Sequence, residues 1–478
     1  MTAQTILPAN TLSGGYNVAN SLRFNDGDSA YLNFTPSSNG SRRIFTISFW
    51  FKTTTVAGGS NYIFSTGNYA GGDGFLQILL SSSGRLTVDD YDQSGDSYNL
   101  RWGTPSTYLI RDPSAWYHFV LAVDSTQGTQ SNRAKIYING VNVSSDFTQT
   151  NSPTQNDDFH VNTSSQLQQI GRSQNNNNYY DGYLAEFVMI DGSALAPTSF
   201  GEFDEDSGIW KPIDVSGLTF GTNGFYLDFE NSGSLGADVS GNGNNFTVNN
   251  LTAIDQTTDT PTNNFCTLNP LDNLYNGGTF SEGNLKVVTA DSIYGAVTST
   301  IGINSGKWYA EFKVTDAGRD FAMVGIKSTP ATSNGDGVGA NDGYAYYSYN
   351  GKKVHGGTET TYGATYDDGD IIGVAVDLDN NKIYFSKNGT FQNSGDPTSG
   401  ATGTGSAFDL DAPPSGFYFF SVSNEDNADG GTWEANFGNP PYTISSGNTD
   451  GNGYGNFEYE VPNSYLSLCT ANISEVLG

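Results

Sequence analysis

The chain repeats one phrase in its two halves: Leu121–Gly140 (LAVDSTQGTQSNRAKIYING) and Gly373–Gly389 (GVAVDLDNNKIYFSKNG). Each copy reads as an apolar run, Ala-Val-Asp, a polar turn, Ile-Tyr and a closing Asn-Gly. Asn-Gly supplies the positive φ angles that a tight type I′ hairpin turn requires. The phrase therefore predicts a long strand, a turn and a β-hairpin, and its repetition indicates one architecture that occurs twice.

The sequence around both copies alternates apolar and polar side chains with a period of two, and helical periodicity is almost absent. In Arg43–Thr54 (RIFTISFWFKTT), the side chains of Phe45, Ile47, Phe49 and Phe51 share one face, which we expect to be buried. Many short strands between Gly- and Asn-rich turns are typical of β-sandwiches. We predict an all-β protein with two tandem antiparallel jelly-roll β-sandwiches joined by a loop-rich connector.

The 478 residues are too many for one ordinary core, so we expect more than one domain. After the first block, strands become sparse and Gly, Asn, Asp and Thr dominate, which favours a connecting region. The predicted boundaries are an N-terminal arm at 1–15, a first sandwich at 16–200, the connector at 201–278, a second sandwich at 279–440 and a C-terminal tail at 441–478.

The chain is strongly acidic, with 20 Lys and Arg against 50 Asp and Glu and a formal net charge of -30. Such a surface repels phosphates and anionic lipid headgroups, so we expect neither nucleic acid binding nor membrane insertion. No run of about 18 apolar residues occurs. The N-terminal stretch MTAQTILPANTLSGGYNVANSLRF lacks the basic and apolar regions of a signal peptide, so we expect synthesis in a cytoplasm.

Cys266 and Cys469 are the two cysteines, in the similar phrases FCTLN and LCTAN. We expect these two segments to lie near each other at the base of the second sandwich. Two cysteines and three histidines are too few and too dispersed for a disulfide framework or a His/Cys metal site.

One acidic turn has a spacing that suits calcium. In the stretch DYDQSGDSYNLR, oxygen donors recur at Asp90, Asp92, Ser94 and Asp96, with a glycine at the bend, as in the first half of an EF-hand loop. The twelfth position, where a bidentate Glu belongs, is an arginine. No motif requires a cofactor. Ca²⁺ at this turn is one interpretation, and a solvated hairpin tip is the other.

Carbohydrate binding suits a loop of the first sandwich, the stretch SQNNNNYYDG. Sugars are held by an aromatic ring against their apolar face and by amide or carboxylate groups at their hydroxyls. The candidate carbohydrate-binding residues are Asn175, Asn176, Asn177, Tyr179 and Tyr180. We expect the acidic turn described above to lie on the same rim of the sandwich as this loop. The alternative is that the Asn-rich loop is ordinary exposed surface without a ligand.

An enzymatic interpretation rests on Gly201–Asp206 (GEFDED), which resembles the paired-carboxylate strand of glucanases. Retaining glycosidases place two carboxyl groups about 5–5.5 Å apart, which residues two apart on a strand can supply. Here Glu205 occupies a position whose side chain should be buried, and Ser207 stands at the position where the next acid is expected. We therefore predict a solvated turn at this stretch and no catalytic residues.

Two families resemble the two blocks. FTISFWFKT, GRLTV and WYHFVLAVD…KIYINGV resemble a laminin-G-like, concanavalin A-type jelly roll over about Tyr16–Phe200. GKWYAEFKV, GYAYYSYNGKKV and YDDGDIIGVAVDLDNNKIYFSKNGTF resemble a SPRY domain over about Phe280–Gly438. The tryptophan-rich opening of SPRY domains is only partly present, at Trp308. This resemblance implies protein recognition through loops, which here are Thr332–Asp342 and Asn393–Phe408, both rich in glycine.

The whole arrangement is similar to virion structural proteins of tailed bacteriophages, particularly marine ones. There, a laminin-G-like domain, a connector like GEFDEDSGIWKP, a phrase like TPTNNFCTLNPLDN and a SPRY domain follow in this order. The resemblance implies a non-enzymatic capsid or tail appendage, such as a fibre component, that takes part in host adsorption and binds host-surface glycan. It also implies localisation in the virion after synthesis in the host cytoplasm.

The partners implied are other virion proteins, with the first 15 residues and Tyr465–Cys469 as contacts to the particle, and a host-surface glycan. A homo-oligomer is compatible with a fibre, although no coiled-coil heptads are present. Two alternatives stay open. One is a capsid-decorating stabiliser without a ligand, and the other is a glucanase-like polysaccharide depolymerase.

Overall fold

A computed structural model describes residues 15–477, except 55–58, 60, 68–70, 73, 273–277, 290–294, 319–320, 334 and 425–429. The chain divides into two compact units, of which the first ends at Asn263 and the second begins at Asn264.

The first unit consists of short strands and 3₁₀ turns. Its strands are β1 (Ser21–Phe24), β2 (Tyr31–Phe34), β3 (Ile44–Thr53), β4 (Asn61–Thr66), β5 (Phe75–Leu80), β6 (Leu86–Asp92), β7 (Ser97–Gly103), β8 (Tyr117–Asp124), β9 (Ala134–Ile138), β10 (Val141–Asn142), β11 (Thr148–Asn151), β12 (Gln168–Ile170), β13 (Gly182–Asp191), β14 (Gly201–Phe203), β15 (Trp210–Pro212), β16 (Phe225–Leu227), β17 (Thr247–Asn249) and β18 (Gln256–Thr257). The 3₁₀ turns are Asp26–Asp28, Gln130–Asn132, Ser144–Asp146, Pro197–Ser199 and Ala253–Asp255.

Two antiparallel eight-stranded sheets form the first sandwich. Sheet I has the order β10-β9-β8-β3-β13-β1-β18, with β16 also paired to β13, and sheet II has the order β11-β7-β6-β5-β4-β12-β2-β17. Phe45, Ile47, Phe49 and Phe51 of β3 are fully buried in the core between the sheets, which confirms the predicted face. Alternation along the strands thus supplies the apolar layer of the sandwich.

The second unit is also a β-sandwich. Its strands are β19 (Thr279–Ser281), β20 (Lys286–Val288), β21 (Gly295–Thr298), β22 (Lys307–Asp316), β23 (Ala322–Lys327), β24 (Tyr344–Tyr347), β25 (Lys352–His355), β26 (Thr358–Thr361), β27 (Ile371–Asp377), β28 (Lys382–Lys387), β29 (Thr390–Phe391), β30 (Phe408–Asp409), β31 (Phe419–Asn424), β32 (Thr432–Asn436) and β33 (Leu466–Ser467). Among the described residues of this unit there are also the 3₁₀ turns Gln392–Ser394 and Pro397–Thr402 and the helix α1 (Thr470–Leu477).

Sheet III of this unit has the order β19-β20-β32-β22-β27-β28-β29, with β30 on β28 and β33 on β22; sheet IV has the order β21-β31-β23-β24-β25-β26. The pairs are antiparallel except for β22 with β33. Trp308, Phe312, Val374 and Phe420 are among the buried residues between the sheets. The predicted fold class, two all-β sandwiches in tandem, is confirmed.

Both copies of the repeated phrase form the predicted hairpins. Asn139 and Gly140 join β9 to β10 with φ angles of 47° and 78°. Asn388 and Gly389 join β28 to β29 with φ angles of 47° and 76°. Positive φ at both central residues is the type I′ requirement, which is why Asn-Gly stands at each apex.

The connector predicted at 201–278 is not a linker in the structure. Up to Asn263 it belongs to the first unit, where β16 and β18 extend sheet I and β17 extends sheet II. Phe220 and Tyr226 cover the outer face of sheet I, against Val120 and Val188. The boundary shifts because the face of sheet I opposite the core also carries apolar side chains, which the following segment buries.

The tail predicted at 441–478 is likewise part of a folded unit. Phe457, Val461 and Tyr465 pack on the outer face of sheet III against Tyr309 and Tyr384. The residues predicted to contact the particle are therefore covered within the unit, since Tyr465, Leu468 and Cys469 are fully buried. The N-terminal contact predicted for the first 15 residues lies almost wholly outside the described residues.

The two cysteine segments meet as expected. Phe265 and Cys469 form an isolated antiparallel bridge, and the Cys266 N–H donates to the Leu468 carbonyl at 2.9 Å. Both cysteine side chains are buried in the second unit. No helix in the described part of the chain has the length and apolar character to cross a membrane.

Each unit holds a buried glutamate beneath the segment that covers it. Glu186, in an irregular stretch of β13 with a φ of 50°, accepts the Tyr226 hydroxyl at 2.7 Å, and burial raises its pKa to about 8. Glu311 on β22 accepts the N–H groups of Glu458 and Tyr459 at 2.9 and 2.8 Å, and burial raises its pKa to about 7. These carboxyl groups tie the later segments to the sheets.

A buried ion pair fastens the former connector to sheet I. The Lys52 ammonium on β3 lies 2.8 Å from a carboxylate oxygen of Asp259, and both side chains are fully buried. The other Asp259 oxygen accepts the Trp116 indole N–H at 3.1 Å. Hydrogen bonding on both sides is what makes a buried ion pair tolerable.

Breaking that pair should destabilise the first unit strongly. Asp259→Ala leaves the Lys52 charge buried and unpaired, which costs about 3–5 kcal/mol of unfolding free energy. The Lys52→Met/Asp259→Leu double variant should cost less, because it leaves no charge behind. Urea unfolding followed by tryptophan fluorescence measures both. The control is Asp158→Ala, which removes the exposed ion pair with Arg43 and should change little; equal effects of the two single variants would contradict the prediction.

Candidate functional site

One polar residue from each strand lines up across the outer face of sheet II. In spatial order, this polar row is Thr247, Asn33, Gln169, Ser65, Gln77, Asp89, Arg101 and Asn151. The next row along the strands, which includes Leu32, Ile170, Phe64, Ile78 and Val88, points into the core. The polar row therefore faces away from the core, and it crosses seven inter-strand spacings, roughly 33 Å.

The middle of the polar row is recessed and has unmet hydrogen-bonding capacity. Ser65 and Gln169 are fully buried, and Gln77 and Asp89 are only 8% and 5% exposed. Gln77 donates to Asp89 at 3.0 Å. The amide oxygen of Gln77, the second carboxylate oxygen of Asp89 and the amide nitrogen of Gln169 are buried without a hydrogen-bond partner. Burial raises the pKa of Asp89. Most buried polar atoms in folded proteins have a hydrogen-bond partner, so these atoms have capacity for water or a ligand.

Aromatic rings flank the polar row on both sides. On the side of the row towards the acidic turn after β6, Phe75, Tyr91 and Tyr98 follow one another on adjacent strands, with ring centroids 5.4 and 4.9 Å apart. On the opposite side of the row lie Tyr31 and the half-buried Tyr62. Aromatic faces beside buried hydrogen-bonding groups are the arrangement that carbohydrate sites use.

The predicted carbohydrate loop is only partly placed as expected. Asn175, Asn176 and Asn177 are exposed, and Tyr179 contacts Tyr31 beside the polar row, with centroids 6.3 Å apart. Tyr180 is not available for a ligand. Its ring is fully buried in the core. Its hydroxyl donates to a main-chain carbonyl of β3, because alternate residues of the loop turn inward.

The predicted calcium ligands do not converge. Asp90 faces the core side of sheet II and accepts the backbone N–H and the ring nitrogen of His160, at 2.8 and 3.0 Å. Asp92 accepts from Ser94, and Asp96 accepts the Tyr91 hydroxyl. Within the described residues, no group of three or more His, Cys, Asp or Glu side chains could hold a metal ion.

The acidic turn and the asparagine loop do not share a rim. Three antiparallel pairings separate β6 from β12, so the two strands run in opposite directions. The turn after β6 and the loop after β12 therefore lie at opposite ends of sheet II. The expectation of a common rim was wrong, because strand order cannot be read from the local sequence.

The GEFDED stretch forms β14 of a small hairpin with β15 on the outer face of sheet I. The Lys211 ammonium contacts Glu202 at 3.5 Å and Asp204 at 3.1 Å, and Glu205 is exposed. Trp210 of the same hairpin donates its indole N–H to His118 at 3.0 Å. The hairpin therefore covers part of the outer face of sheet I, and its Glu202 and Asp204 carboxylates form ion pairs with Lys211.

In the second unit, the glycine-rich loop Thr332–Asp342 is anchored from below. The Lys327 ammonium, fully buried, lies 2.8 Å from Asp336 and 2.9 Å from Asp342. The Asn341 amide also donates to Asp336 at 3.1 Å. These contacts hold the shape of the loop.

The polar row was not predicted from the sequence. The one local signal is Gln77, a polar residue inside the apolar run FLQILL. The other members become recognisable only when the register between strands is known.

Comparison with known proteins agrees with the two sandwiches. Residues 26–198 match the laminin G-type family described as Concanavalin A-like lectin/glucanases superfamily, and residues 307–408 match the SPRY domain family. The chain carries a concanavalin A-like domain followed by a SPRY domain. The first match ends before the segment that completes the concanavalin A-like domain in the structure.

Among curated proteins, Ran-binding protein 9 of Danio rerio, Mus musculus and Homo sapiens is 30% identical over 118 residues, or 23% of this chain. The chain covers only 20%, 18% and 16% of the length of these relatives. Among solved structures, the SPRY domain of human HERC1 is 20% identical and covers 35% of this chain and 96% of its own, with a TM-score of 0.29. A human SPRY domain is 17% identical and covers 34% of this chain and 94% of its own, with a TM-score of 0.25.

The stability of the concanavalin A-like domain should depend on pH through His118. The ring stacks on Trp50 with centroids 4.7 Å apart, and its second nitrogen lies 2.9 Å from the Ser48 hydroxyl. Because Trp210 donates to one ring nitrogen, the other carries the proton and donates to Ser48. Burial lowers the pKa of His118 to about 3 from 6.5.

Between these two pKa values the unfolded chain binds a proton at His118 that the folded chain does not, so the His118 contribution to stability should fall as pH drops below about 6.5. Glu186, whose pKa is raised to about 8, contributes with the opposite sign between about 4.5 and 8. The loss is at most about 1.4 kcal/mol per pH unit. Urea unfolding at several pH values between 4 and 8 measures it. His118→Gln keeps an amide for hydrogen bonding and removes the His118 contribution, so the stability of the parent protein should fall relative to that of the variant as pH drops below about 6.5; identical slopes for the two proteins would contradict the assignment.

Proposed function

We propose that the concanavalin A-like domain binds a polysaccharide along the polar row of sheet II, and that the protein is a non-enzymatic virion component of a tailed bacteriophage. The observation that carries the first part is the row itself. It combines single buried amide and carboxylate atoms without a hydrogen-bond partner, at Gln77, Asp89 and Gln169, with flanking aromatic rings. Sugar hydroxyls would satisfy these groups, and the rings would contact the apolar sugar faces.

The extent of the row favours a chain-like ligand. It crosses all eight strands of sheet II at a right angle to them, over roughly 33 Å. A single terminal sugar would occupy a small part of this length. An extended polysaccharide segment can engage successive residues along it.

Binding is favoured over hydrolysis by the composition of the row. Glycoside hydrolysis generally needs two carboxyl groups across the scissile bond. Asp89 is the one carboxylate among the row's members. The other candidate pair, Glu202 and Asp204, contacts Lys211. We therefore place the depolymerase alternative behind the binding function.

The virion assignment rests on the resemblance of the whole arrangement to tailed-phage structural proteins. The two domain matches occur in the order that this resemblance requires, and the phrases GEFDEDSGIWKP and TPTNNFCTLNPLDN stand between them. In this role the protein would sit on the capsid or tail and contact host-surface glycan. A capsid-decorating stabiliser without a ligand is the competing role within the same particle.

The polar row gives a direct binding test. Gln77→Leu removes an amide from the recessed floor, and we expect it to lower the affinity for any polysaccharide that binds the intact protein by about tenfold. A glycan array identifies the ligand, and calorimetry measures the affinity. Gln155→Leu changes an exposed glutamine on another loop and should bind normally. No array binding, or equal loss in both variants, would count against the site.

The particle assignment predicts that the protein co-purifies with virions and that particles lacking it adsorb less well to host cells. Mass spectrometry of purified virions and adsorption assays with a deletion mutant measure these outcomes. Normal adsorption together with fragile capsids would favour the decorating stabiliser. Absence from the particles would overturn the virion role.

A further inference from the structure

Two arginines on the same face of sheet II lie against tyrosine rings. The Arg172 guanidinium carbon is 3.5 Å from the centroid of the Tyr31 ring, and its Nε donates to the Gln169 amide oxygen at 2.6 Å. The Arg101 guanidinium carbon is 4.5 Å from the centroid of the Tyr98 ring. Stacking and the Nε hydrogen bond fix the plane of Arg172 and leave its two terminal nitrogens for another partner.

Arg172 carries a charge that no nearby carboxylate neutralises. Across the described part of the chain, no Asp or Glu oxygen lies within 4.0 Å of its guanidinium, and its hydrogen-bond acceptor is a neutral amide. Arg101 has a long ion pair with Asp89, with 4.0 Å between its Nε and a carboxylate oxygen. In a protein with a net charge of -30, an uncompensated guanidinium group such as that of Arg172 is unexpected at a candidate ligand site unless it meets an anion.

We propose that sheet II selects an anionic polysaccharide, with Arg172 as the main contact for a carboxylate or sulfate group and Arg101 as a second. This inference rests on the proposed carbohydrate function. A planar guanidinium matches the two oxygens of such a group through paired hydrogen bonds. Tyr179 pairs with Arg172, and the exposed amides of Asn175 and Asn176 on the same loop are suited to the hydroxyls of the same sugar.

The spacing of the charges specifies the pattern of the ligand. Arg172 follows β12 directly and Arg101 lies on β7, which is four inter-strand spacings away, or about 19 Å. Asp89 lies between them on β6 and disfavours an anion at that position. The site therefore suits a polymer whose charged groups are separated by neutral stretches.

The net negative charge of the protein helps to distinguish specific binding of an anionic polymer from non-specific attraction. An acidic surface repels a polyanion at long range, so non-specific attraction cannot mimic the expected binding. At physiological salt the repulsion is screened beyond about 8 Å, while a paired guanidinium contact persists.

The test measures binding of the full chain to two matched polymer pairs: partly methyl-esterified polygalacturonate and its full methyl ester, and sparsely sulfated dextran and dextran. We expect tighter binding to the charged member of at least one pair, which separates carboxylate from sulfate as the group recognised. Arg172→Gln should lower that affinity by about tenfold and leave the affinity for the neutral member unchanged. Arg172→Lys should lose less, because it keeps the charge but not the planar fork.

Arg43→Gln is the matched control, since it removes the same charge from an exposed ion pair next to the start of β3. Equal binding of charged and neutral polymers, or an unchanged affinity of Arg172→Gln for the charged one, would overturn the anion selectivity and leave the carbohydrate site intact. Failure of every polysaccharide to bind, here and on the array, would overturn both proposals. Thermal unfolding of each variant separates loss of binding from loss of fold.

Discussion

The burial of the core side of sheet II is the constraint on which the candidate site depends. Leu32, Phe64 and Ile78 fill the sandwich, and a register slip of one residue would turn them to the outer face. Because side chains alternate between the two faces of a strand, burial of these residues turns Gln77 and Asp89 to the outer face. The polar row is thus a consequence of the core: apolar side chains set the register, and the register aligns one polar residue per strand.

The two units share a feature outside their sandwich cores: a later segment of the chain covers the outer face of one sheet. In each, one sheet carries apolar side chains on both faces, and the segment that follows the sandwich covers the outer one. The covering segment is tied down by buried polar groups, including the Lys52–Asp259 ion pair in the first unit and the Glu311 carboxyl in the second. Hydrogen bonding at these groups offsets the cost of burying them and defines where each segment lies.

This division of labour between faces explains where a ligand can bind. The outer face of sheet I is closed by the later segment and by the hairpin that carries Trp210. The outer face of sheet II keeps exposed members such as Arg101 beside a recessed floor. One sheet therefore serves stability, and the other presents aromatic and polar groups together.

The sequence by itself determined the all-β class, the two hairpins with Asn-Gly apices and the buried face of Phe45–Phe51, because alternation and turn chemistry are local properties. It also placed the two cysteine segments together by their similar phrases. Only the tertiary structure decided that the connector completes the first unit, that Tyr180 belongs to the core, and that Gln77 and Asp89 share one row. Those outcomes depend on pairing between distant strands, which no local pattern encodes.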